Sequence, residues 1–330
     1  MNDTTSKSKI LTRWRSDPIW ILGVVLGLQA FIVFVAFPVW ADLWTAVMDS
    51  LSYEFFFIMI IYGSTVIDIV LIFLLCWPIK PNRYIWKSFL LKRKSAPASA
   101  GEQDILADFY GRRQNGFKRL GWGLLIGFIT NGFAILCAVI HGDITGFTFE
   151  LPATLIPILL FALVSVFIQC SAEELWIRGI LFERLHERCP MWVVIFISGS
   201  VFGLLHVFNE GATVLSITGI AVCGIAYALL RWYSGSIWIV MGVHTAWNFT
   251  QAFLFGLPNS GIESPASVFY PVTSEGTSNL VYDFIFGVEG ALPALFADAA
   301  IVVVVLILAA RKGRLKELTM NRAKAMEAAA

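Results

Sequence analysis

Eight stretches of this chain are apolar for long enough to cross about 30 Å of hydrocarbon as helices. They cover approximately residues 19–41, 53–77, 121–140, 154–182, 192–208, 212–232, 237–257 and 291–310. Lipid offers no partner to backbone N–H and C=O groups, so such stretches must satisfy their hydrogen bonds internally. At this length they do so as α-helices. The expected fold is therefore all-α, a polytopic transmembrane helical bundle of about 8 spans. With 58% hydrophobic and only 14% charged residues, the chain as a whole is too apolar for a soluble protein.

Lysine and arginine set the expected orientation. Lys7, Lys9, Arg13 and Arg15 precede the first span, ten cations lie in the linker 80–119, and six follow the last span. Arg184, Arg188 and Arg231 sit at span ends on the same side, and with Arg178 these make up all 24. The opposite loops, 42–50, 141–153, 209–211 and 258–290, carry none. Both termini are expected in the cytoplasm, with the first span an uncleaved helix because it is too long for a signal peptide. The linker interleaves its cations with Tyr84, Trp86, Phe89 and Leu90, as a segment lying on the membrane surface does. A net charge near +1 supports no nucleic-acid partner. The five cysteines show no C-x-x-C spacing, and Cys76, Cys137, Cys170 and Cys223, within apolar stretches, read as small hydrophobes rather than a disulfide framework.

Against this background, polar groups within spans stand out, since intramembrane charge is costly and faces a protein interior or a wet cavity. The fourth span carries Glu173-Glu174-x-x-x-Arg178. On a helix Glu174 and Arg178 are neighbours in the favourable order for an ion pair. Glu173 is turned about 100° away and is free to point elsewhere. The fifth span carries Phe202 and His206, with Asn209 on the same face, and the seventh carries His244 and Asn248 one turn apart. Counted from the cytoplasmic ends, Glu173, His206 and His244 lie 15, 15 and 13 residues in. At about 1.5 Å per residue all three reach a similar depth, roughly 20 Å from that boundary. Helices running in opposite directions coincide in this way when they build one site. His141 and His186 fall outside it, and Asp68 and Asp298 are lone acids with no assigned chemistry.

These three segments resemble the motifs of the CAAX protease and bacteriocin-processing family of intramembrane proteases: E-E-x-x-x-R, then F-x-x-x-H, then H-x-x-x-N. The resemblance covers about residues 154–255 and implies a catalytic core over 151–257. The core is flanked by N-terminal spans and the basic linker (1–150), and by an outer loop, last span and tail (258–330). It implies an endopeptidase acting on membrane-tethered, CAAX-type proteins or peptides in a bacterial cell membrane. Glu173 would activate water, His206 would hold it, and His244 and Asn248 would stabilise the oxyanion. Glu174, Arg178, Phe202 and Asn209 would support them. Two versions stay open: one divalent metal ion such as zinc on Glu173, His206 and His244, or no metal. A non-proteolytic scaffold or immunity protein and a small-solute transporter are the competing classes. Absence of internal repeats counts against the transporter.

Overall fold

The computed structural model describes residues 52–63, 65–66, 69–70, 116–274, 276 and 278–321, with Gly23, Gly27, Phe31, Pro38, Val39, Trp40 and Asp42. Most of the expected span 19–41, the end of the span 53–77, most of the linker 80–119 and Asp68 lie outside the described residues. Among those described, the order is α1 (Tyr53–Gly63), α2 (Gly116–His141), β1 (Ile144–Phe149), α3 (Leu155–Glu174), a π-helical segment (Leu175–Leu181) and α4 (Phe182–His186). Then come α5 (Met191–Leu204), α6 (Val214–Ser234), α7 (Ile237–Phe249), a second π segment (Thr250–Leu254), β2 (Phe269–Thr273) and α8 (Leu292–Arg311).

Among the described residues, four helices are long and apolar enough to cross a membrane: Gly116–His141, the continuous Leu155–His186, Val214–Ser234 and Leu292–Arg311. This is a polytopic helical membrane protein. Outward faces are apolar; on α2, Trp122, Leu125, Phe128, Ile129, Phe133, Leu136 and Ile140 are exposed. The inward face of α2 carries small residues, so α7 packs against it at backbone distance. A Cβ on Gly123 would stand 2.1 Å from Ile239 O, and one on Gly127 2.2 Å from Val243 O. Close approach through small residues is how helices associate where lipid removes the hydrophobic drive.

Helix ends follow local chemistry. Thr213 and Ser216 form a reciprocal capping box at the start of α6, and Gly235, at φ 67°, closes it in the left-handed region. Pro293 occupies the first turn of α8, where a missing N–H costs nothing. The fifth span is shorter than the predicted 192–208, because α5 stops at Leu204. There the His206 N–H turns to Gly203 O, and the His206 ring takes the Phe202 carbonyl that a continuing helix would use.

The sequence predicts no strand, yet the outer loops form one ribbon. β1 pairs antiparallel with β2, from Ile144 opposite Thr273 to Phe149 opposite Phe269. The outer loop 258–290 packs on the bundle: Phe286 joins the main core cluster, Tyr282 packs in a cluster with Ala134, Ile135 and Ala138 of α2, and Asp283 Oδ1 accepts from the N–H groups of Ile285 and Phe286. The largest core cluster joins Trp176, Ile177 and Phe182 to residues of α5, α6 and α7.

Candidate active site

Glu173 and Glu174 close α3 where the helix widens into its π segment. Such local widening recurs at functional sites because it re-aims side chains out of α-helical register. The two acids part company as the helical rotation requires. Glu174 is sealed from solvent and accepts from Arg178 Nη1 at 3.0 Å. The same oxygen lies 3.1 Å from His244 Nδ1, so Glu174 ties α3 to α7. Arg178 also donates from Nη2 to Gly224 O at 3.0 Å, and its guanidinium sits 4.3 Å from the Phe202 ring centre. The brace therefore reaches four helical segments.

Glu173 keeps a side chain 30% exposed and faces a cavity of about 530 Å³. Its Oε1 accepts from Gln169 Nε2, while Oε2 stands 3.9 Å from His244 Nε2, beyond direct hydrogen bonding. His206 borders the same cavity from the turn after α5. A carbonyl can only accept, so the 2.8 Å contact between His206 Nδ1 and Phe202 O puts the proton on Nδ1 and leaves Nε2 as an acceptor. The Phe202 ring contacts both imidazoles, at 5.1 Å from His206 and 5.7 Å from His244, edge-on in each case.

Asn248 also lines the cavity. Its amide reaches Gln169 Oε1 and Cys170 Sγ at 3.5 Å each, contacts long enough to be exchanged for a better acceptor. Asn209 lines the wall and donates to Ser260 O at 3.0 Å. Glu173, Phe202, His206, Asn209, His244 and Asn248 are thus brought to one cavity, with Glu174 and Arg178 behind it. As a metal set the residues do not fit: among the described residues no three His, Cys, Asp or Glu side chains converge so as to hold an ion.

Residues 154–250 match the family described as type II CAAX prenyl endopeptidase, Rce1-like. Over this segment the chain is similar to the CAAX protease family. All three motifs lie inside the matched segment. The uncharacterized protein YyaK of Bacillus subtilis (strain 168) is 31% identical over 140 residues, which is 40% of this chain and 46% of that relative. The chain therefore matches about half the length of this relative. No solved structure matches the chain.

Four further polar residues that border the cavity bear on its chemistry. Gln169 stands one turn before Glu173, and Tyr227 on α6 lies 5.8 Å from the His244 ring. Glu289 comes from the outer loop and Asp298 from α8, beyond the matched segment. An amide or an acid in an apolar stretch was the available signal for Gln169 and Asp298. Burial pushes the Glu289 carboxyl up, and hydrogen bonding from Ser260 and the nearby His206 ring pull it back down.

Proposed function

We propose that this chain is an intramembrane endopeptidase that hydrolyses a peptide bond of a membrane-tethered, CAAX-type protein or peptide. The observation that carries the reading is Glu173: a carboxylate oriented by Gln169, open to a membrane-embedded cavity, and faced by two imidazoles and an amide. Glu173 Oε2 takes a proton from water as the water oxygen attacks the scissile carbonyl carbon. The acceptor Nε2 of His206 holds the second hydrogen of that water. Asn248 Nδ2 donates to the oxyanion, and so does His244 Nε2 as the imidazolium, its Nδ1–H being given to Glu174; preorganised donors contribute most there. The C–N bond then breaks, and the proton held by Glu173 passes to the leaving amine.

Glu174 and Arg178 serve this chemistry from behind, keeping the His244 ring turned so that Nε2 faces Glu173. The frame is eight spans with both termini in the cytoplasm of a bacterial cell. The test is cleavage of a quenched-fluorescence farnesylated peptide with a CAAX-type C-terminus by full-length protein in lipid nanodiscs. Wild type should cleave it, and Glu173→Gln should not while keeping its thermal stability. Equal turnover by the two would end the protease reading.

A further inference from the structure

Glu289 lies 39 residues beyond the end of the segment similar to CAAX proteases, yet it borders the same cavity as His206. A carboxylate in such a place is tolerated when donors surround it. Glu289 has three. Ser260 Oγ donates to Oε1 at 2.6 Å, while Trp247 Nε1 and Asn259 Nδ2 donate to Oε2 at 3.1 and 3.3 Å. Trp247 sits on α7, between His244 and Asn248 in sequence. Asn259 and Ser260 form the tight turn that follows that helix and its π segment, closed by reciprocal bonds between Asn259 and Ile262.

That turn is seated on the His206 segment. Asn209 donates to Ser260 O, and a Cβ on Gly261 would stand 2.3 Å from Glu210 O. Ser260 holds φ at 51°, the one left-handed non-glycine among the described residues. Such a backbone persists where its surroundings over-determine it. The bond from its hydroxyl to Glu289 is one of those constraints.

We propose that Glu289 is a positioning residue of the site, its carboxylate clamping the 259–262 turn between the helix that carries His244 and Asn248 and the turn that carries His206. The clamp sets how the two imidazoles sit relative to each other. The functional part of this inference rests on the peptidase reading above, because only there must the two histidines act on one reacting centre.

The chain has four histidines, two of them at the site, so imidazole ¹⁵N spectra of labelled full-length protein in nanodiscs read the clamp directly. Glu289→Gln keeps the shape and weakens the acceptor, since bonds to a charged group are roughly twice as strong as neutral ones. It should move the His206 and His244 signals and leave His141 and His186 in place. Trp247→Phe removes one donor and should move the same two signals by less. It decides the matter alone if Glu289→Gln does not fold. Unchanged His206 and His244 signals, or displacement of all four together, would overturn the proposal. On the farnesylated peptide, Glu289→Gln should lower kcat by about 10- to 100-fold, the scale of a small misplacement of reacting groups, with KM changed by less than about twofold. A kcat equal to wild type would also overturn it. If wild type cleaves the peptide no faster than Glu173→Gln, the peptidase reading fails, and the histidine signals still decide whether Glu289 clamps the site.

Discussion

Arg178 donates to Glu174 across 3.0 Å with neither side chain reached by solvent, and the same carboxylate oxygen takes the His244 ring. The ion pair is thereby the link between the helix that presents Glu173 and the helix that presents Asn248. Its value lies in fixing geometry, since a buried pair recovers little net energy over an apolar replacement.

Removing one partner is a different matter, because it strands a charge in the core. Arg178→Met should destabilise the protein by about 3–5 kcal/mol. The Glu174→Gln/Arg178→Met double variant should lose less than the sum of the single losses. Thermal unfolding of the three variants in one detergent measures this, and additive losses would show that the pair does not interact.

Asn248→Ala tests the oxyanion assignment. The amide's two present contacts are both 3.5 Å, so little stability depends on them. A donor that engages only the tetrahedral intermediate should lower kcat by about 10²- to 10³-fold with KM nearly unchanged. Steady-state kinetics on the farnesylated peptide decide it; a rise in KM with kcat intact would make Asn248 a substrate-binding residue instead.

The motif residues were legible in the sequence because charge and imidazole are rare in apolar spans and because helical spacing converts to depth. The split between Glu173 and Glu174 follows from the rotation between adjacent helical residues, and the structure keeps it. The bond from His244 to Glu174 was not legible, since it joins helices 70 residues apart. The β1–β2 ribbon was hidden for the same reason: its strands lie in loops more than 100 residues apart, and neither is long enough to be read alone. The early end of α5 left no trace in hydropathy, because Val207 and Phe208 continue the apolar run. A histidine side chain ends the helix by capturing a carbonyl, and no glycine or proline marks the place.

Gly127→Ala should loosen the contact between α2 and α7. The added methyl would stand 2.2 Å from Val243 O, a backbone atom that cannot rotate aside. Forcing a methyl into packing this close costs about 1–3 kcal/mol. Gly132→Ala, with nothing within 4 Å of the new atom, should cost far less and is the control. Equal melting temperatures for the two variants would sink the close-packing account.

Gln169 joins the two halves of the proposed chemistry. Its Nε2 donates to Glu173 Oε1, and its Oε1 accepts from Asn248 Nδ2 at 3.5 Å. Without the donor, Glu173 is free to rotate about its side-chain bonds, and one orientation among several is productive. A hydrogen bond to a charged group is worth about 1.5–3 kcal/mol, and each 1.4 kcal/mol is a factor of about ten in rate. Gln169→Leu should therefore lower kcat by about tenfold or somewhat more. Gln169→Glu should be worse, because it replaces the donor with a carboxylate that repels Glu173 at hydrogen-bonding range. The order wild type, Leu, Glu in turnover of the farnesylated peptide is the expected result, and a Gln169→Glu variant as active as wild type would remove Gln169 from the site.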